Sequence, residues 1–109
     1  MKEDNITSTF MRLQAKEAQV FLSKYSARGH ENISEQGFTG VFTRMRHDKM
    51  ARLSSVAKAH QLAAAFPDFD IDKYMADNCL SLDDVVDDLL DISNYAKMAI
   101  MLLRGEWKP

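Results

Sequence analysis

SLDDVVDDLLDISNYAKMAIMLL, residues 81–103, is the stretch on which the fold turns. Val85, Leu89, Ile92, Ala96, Ala99, Ile100 and Leu103 recur at intervals of three and four, which places them on one face of an α-helix over about 82–104 and predicts that this face meets the core. Ser81 stands where an N-cap hydroxyl belongs, with an acid, Asp84, three residues on, and Gly105 stands where the helix should close. Asp84, Asp87, Asp88 and Asp91 form a second stripe by the same spacing. Stacked carboxylates repel one another. They call for Lys or Arg from another helix, for a divalent cation, or for solvation at the positive end of the helix dipole.

The preceding helical pattern, about 39–65, supplies cations. Pro67 ends it and restricts Phe66 to extended backbone. Val41, Met45, Val56 and Ala63 define its apolar face, and Lys49 and Arg52 lie within that same stripe. Long cationic side chains are seldom buried without a partner. Three outcomes are open: the stems cover apolar surface while the heads reach water, the heads pair with Asp87, Asp88 and Asp91, or they meet the phosphates of a bound ligand. Asp88 and Asp91, three apart, also have a spacing that lets two carboxylates converge on one hard cation such as Mg²⁺.

A third helix is expected over about 7–26, capped by Thr7 or Ser8 and ended at Gly29. Residues 28–40, RGHENISEQGFTG, lack periodicity and hold three of the four glycines, so a loop is expected there; a short helix fits 70–76. The fold class is therefore all-α, three main helices with a short fourth, in a single domain over residues 1–109. The second half of the last helix, from Tyr95 to Leu103, is apolar on nearly every side, which predicts a homo-oligomer, a dimer or higher. Trp107, the one tryptophan, packs on a neighbour or sits in an interface.

A net charge of −2 disfavours general binding to nucleic acid through its phosphate backbone. Cys79 is the single cysteine, so no disulfide within the chain and no cysteine zinc cluster can form. His30, His47 and His60 lack the spacing of metal ligands, and no phosphate-binding glycine loop, nucleophile elbow or zinc-protease motif occurs. With no signal segment and no bilayer-length apolar run, a soluble, cytoplasmic protein with no membrane association is expected.

H-D-K-M-A-R-L at 47–53, D-D-L-L-D-I-S-N-Y-A at 87–96 and the following L-L-R-G-E-W together resemble small phage-encoded helical proteins of the nucleotide modification associated domain type. The resemblance spans roughly residues 20–107. More distantly, the layout is similar to MazG-like all-α nucleoside triphosphate pyrophosphohydrolases, whose acidic helices hold Mg²⁺ over the phosphates. It implies a nucleotide or nucleotide-derived ligand met by Lys49, Arg52 and Asp87, with Asp88 and Asp91 as metal ligands for Mg²⁺ and a location in the host cytoplasm. The pyrophosphohydrolases carry a further E-E-x-x-E helix, where this chain has only Glu17 in its first helix. Two functions follow from the resemblance: a Mg²⁺-dependent nucleotide phosphohydrolase, or a non-enzymatic phage accessory protein that sequesters a nucleotide signal or binds a host protein to inhibit antiviral defence. A third possibility needs no ligand, with the two cations locked to the aspartates in a network that fixes helix register.

Overall fold

The computed structural model describes residues 5–108 and is helical throughout, with no strand among them. In chain order the elements are α1 (Asn5–Arg28), α2 (Glu31–Thr43), a π-helical segment (Arg44–Lys49), α3 (Met50–Ala65), α4 (Ile71–Asp77) and α5 (Leu82–Leu103). The chain divides into two compact units. One comprises the residues up to Val41 together with those from Ser93 onward; the other is Phe42–Ile92. No helix among the described residues is long and apolar enough to cross a membrane.

Most boundaries follow local chemistry. Asp70 caps α4 by accepting the Lys73 N–H at 3.0 Å. Ser81 caps α5 in the same way, its Oγ accepting the Asp84 N–H at 3.2 Å. Pro67 holds Phe66 at φ −126°, ψ 108°, and α3 stops there. Thr7 and Ser8, expected to cap α1, instead lie inside it, because α1 already includes Asn5.

The expected loop over 28–40 is mostly helix. Residues from Glu31 are helical, and the break is confined to Gly37, at φ 62° and ψ −161°, a conformation open in practice to glycine alone. The polar residues of ENISEQ read as loop but surround Ile33 on a short helix that buries it. The helix expected as one piece over 39–65 is likewise interrupted, since i→i+5 bonding runs from Arg44 to Lys49.

Within the unit Phe42–Ile92, Ala59, Leu80, Val85 and Leu90 are buried, and α4 packs against α3. In the other unit, Ile33, Val41 and Met98 are buried together with the polar Glu17 and Asn94. The Asn94 Nδ2 donates to the Glu17 carbonyl at 3.1 Å, and the Lys97 ammonium bonds the Glu17 carboxylate. Burial pushes the Glu17 carboxyl up, but Lys97 and Ser93 outweigh it and hold the group below its ordinary value. Trp107 packs edge-on against Phe21 and Tyr25 and donates its indole N–H to the Ser34 Oγ at 3.1 Å.

These polar contacts correct the expected core face of α5. Of Val85, Leu89, Ile92, Ala96, Ala99, Ile100 and Leu103, only Val85 is buried; Leu89 and Ile100 are each about half exposed and Leu103 is 70% exposed. In the second half of the helix the buried positions are Asn94 and Met98, on the opposite side. A hydrophobic period does not register an asparagine that is buried because it binds another helix's backbone.

The ends of α4 and α5 share one motif with different chemistry. After α5 the Glu106 N–H reaches the Met101 carbonyl and the Gly105 N–H the Leu102 carbonyl, with Gly105 at φ 69°. After α4 the same pair of bonds joins Leu80 to Met75 and Cys79 to Ala76, but the left-handed position is held by Cys79 at φ 57°. A side chain there carries a steric cost that glycine avoids. Cys79→Gly is therefore expected to stabilise the protein by roughly 0.5–1 kcal/mol, the relief of strain being partly offset by the freer unfolded chain. Urea unfolding of the two proteins checks this, and a lower midpoint for the glycine variant would contradict it.

Candidate functional site

Asp88 is the most deeply buried charged side chain among the described residues, with 2% of its surface exposed. A carboxylate at that depth is sustained only by nearby positive charge. Two cations supply it. The Lys49 Nζ, at the end of the π segment, lies 3.6 Å from Asp88 Oδ1 and 3.1 Å from Asp91 Oδ2. The Arg52 Nε, in the first turn of α3, lies 3.2 Å from Asp88 Oδ2. All four groups belong to the unit Phe42–Ile92.

Of the alternatives that the sequence leaves open for Lys49 and Arg52, simple snorkelling does not describe the geometry. Both heads turn to the aspartates. Asp87, in contrast, is exposed on α5 and has no ion pair among the described residues, and Asp84 is exposed in the first turns. The four-aspartate stripe thus divides into two solvated acids and two that join the cluster, so two cations balance two anions.

The contacts of Arg52 are asymmetric. Its Nε approaches Asp88 Oδ2, yet the N–H does not point at that oxygen, which has no hydrogen bond among the described residues. The pairing is thus one of charge more than of direction. Neither terminal nitrogen of the guanidinium has a partner among the described residues, and the side chain is 40% exposed. Asp88 therefore holds Arg52 by its near side and leaves the outer fork uncommitted. The surrounding segment from Arg44 to Lys58 is basic, with five Lys and Arg against one acid, Asp48.

For a metal, the fit is poor. The Lys49 ammonium bridges Asp88 and Asp91, the place where a divalent cation shared by those carboxylates would sit. Among the described residues no group of three or more His, Cys, Asp and Glu side chains is placed to hold a metal ion. Such a cation needs more oxygen ligands than this pair offers.

Sequence reasoning places Lys49, Arg52, Asp88 and Asp91 together but does not reveal the free fork, because its availability depends on which edge of the guanidinium Asp88 takes. It also misses Glu17, Asn94 and Lys97 as a second polar cluster, whose only sequence signal is a polar interruption in an apolar helix. Comparison with known proteins adds no relative: no known family, curated protein or solved structure significantly matches the chain.

The two cations should differ in their structural weight. Lys49 touches both carboxylates and is the less exposed of the pair, whereas Arg52 touches one. Lys49→Met is expected to cost about 3 kcal/mol, near the usual loss when one partner of a buried ion pair is removed. Arg52→Met leaves Asp88 paired with Lys49 and should cost only about 1 kcal/mol, close to the value of a partly exposed pair. Chemical denaturation of both variants measures the difference, and an Arg52→Met cost equal to or above that of Lys49→Met would contradict this assignment.

Proposed function

We propose that the protein binds a nucleotide or nucleotide-derived ligand through its phosphates, with Arg52 as the principal contact and no requirement for metal. The observation that carries this is the Arg52 guanidinium, its Nε paired by charge with Asp88 and both terminal nitrogens without a partner among the described residues, in a basic segment. A planar fork drawn to Asp88 by charge, with its terminal nitrogens open, can make two parallel bonds to a phosphate. Lys49 and Asp91 then serve as a frame. Lys49 offsets part of the charge of both carboxylates, which lessens their repulsion of the incoming anion.

The function is binding rather than turnover. The two carboxylates nearest the fork are already engaged by cations, which leaves neither as a ready base for activating water. Titration calorimetry with inorganic triphosphate, ADP and ATP, each with and without Mg²⁺, tests the proposal. Binding is expected without metal, and Arg52→Lys, which keeps the charge but loses the fork, should weaken it by about tenfold or more. Absence of binding at millimolar ligand, or equal affinity in the Arg52→Lys protein, would overturn it. Binding that requires Mg²⁺ and is lost in Asp91→Asn would instead support a metal site on Asp88 and Asp91.

We also propose a second copy of this chain as a partner. Ile100 and Leu103 of α5 are 50% and 70% exposed, and in the same unit α1 presents Ile6, Phe10 and Leu13 at helical spacing, all exposed. Large apolar side chains exposed along one face of a helix suit an interface better than a solvated surface. Light scattering after size exclusion at micromolar concentration should give a mass of two chains or more, reduced by Leu103→Asp. A single-chain mass for the wild type would contradict the proposal.

A further inference from the structure

The cavity between α1 and the second half of α5 has a volume of about 270 Å³. That lies just below the usual range for drug-sized ligands and suits a compound of one or two small rings. Both of its walls belong to the same compact unit, and it shares no residue with the Arg52 cluster, so a ligand here is tested separately from phosphate binding at Arg52.

Its floor and sides are apolar and soft: the Phe21 ring with the thioethers of Met98 and Met101. Thioethers and an aromatic face accept a flat ring more readily than a bulky aliphatic group. The charged lining residues, Glu17 and Lys97, bond each other. Their charges are thus already balanced by one another, which favours a neutral ligand over an ionised one.

Polar specificity comes from two carboxamides. Asn94 is 7% exposed, and its amide is oriented by the Glu17 carbonyl. A backbone carbonyl only accepts, so the nitrogen must face it and the oxygen must face away. That oxygen, Oδ1, has no protein partner among the described residues and, unlike Asp88 Oδ2, is not sealed from solvent, so at the cavity wall it can accept from water or from the N–H of a ligand. Gln14, three residues before Glu17, also lines the cavity, and its exposed side chain makes no hydrogen bond among the described residues, so its amide can donate to a neighbouring carbonyl.

We propose that this cavity binds a neutral, planar ring compound bearing an amide edge, with its N–H donated to Asn94 Oδ1 and its carbonyl accepting from Gln14. Such an edge occurs within a ring, as in a pyrimidine base, or outside one, as in an aromatic carboxamide. Uracil and nicotinamide represent the two sources. Toluene represents a ring without the edge.

The protein carries its own reporter. Trp107 is the single tryptophan, and its ring packs edge-on 6.5 Å from Phe21, a wall of the cavity. Titration of the full chain with uracil, nicotinamide or toluene, read by Trp107 emission, is expected to give a saturable response to uracil or nicotinamide, and whichever responds identifies the source. Asn94→Leu removes the acceptor. Ala18→Leu fills the cavity while leaving Asn94 and Glu17 in place, which guards against the first variant failing to fold. Both should weaken the response by about tenfold or more. No saturable response to either amide, an equal or stronger response to toluene, or a response unchanged in Ala18→Leu would overturn the proposal.

Discussion

A carboxylate buried to the depth of Asp88 sets the terms for the helices around it. Left alone in a protein interior such a group would be severely destabilising, and the chain answers with two cations from one neighbouring helical segment. This fixes the register of that segment against α5, because Lys49 must reach both Asp88 and Asp91 while Arg52 reaches Asp88 alone. Replacing a buried ion pair with apolar residues often leaves stability unchanged or improved. The retention of four charges here therefore draws attention to what the arrangement does beyond holding helices together, and the outward fork of Arg52 is the part with no structural task.

The second polar cluster follows the same logic in the other unit. Glu17 is the single buried residue of α1, and it is met by Lys97 and by Asn94. Both helices thus bury polar groups where a simple amphipathic pattern would place apolar ones. On α5 the apolar Ile100 and Leu103 are left on the side away from Asn94, whereas on α1 Phe10 and Leu13 share the face of Glu17 and are exposed further along it.

Much of this was legible in the sequence where the signal is local. The Ser81 cap, the stop at Pro67 and the short helix near Asp70 depend on neighbours within a few residues and appear where expected. The pairing of Lys49 and Arg52 with aspartates was one of three outcomes the sequence left open, since cations on a core-facing stripe can be met by an anion on a second helix, by a phosphate or by water. The failures are equally physical. Residues 31–36 look like a loop because their polarity masks a short helix broken only at Gly37. The buried side of α5 reverses because Asn94 is stabilised by a carbonyl 77 positions away, which no local period can report. Which edge of Arg52 meets Asp88 lies beyond residue-level patterns altogether.

The central claim is that Arg52 is held at Nε and open at its terminal nitrogens, and the guanidinium itself can report on this. In nitrogen-15 side-chain spectra, titration with inorganic triphosphate should shift and slow the rotation of the Arg52 terminal Nη groups, while its Nε resonance, already set by Asp88, moves little. Unchanged Nη signals, or an Nε that shifts as it breaks from Asp88, would contradict the account.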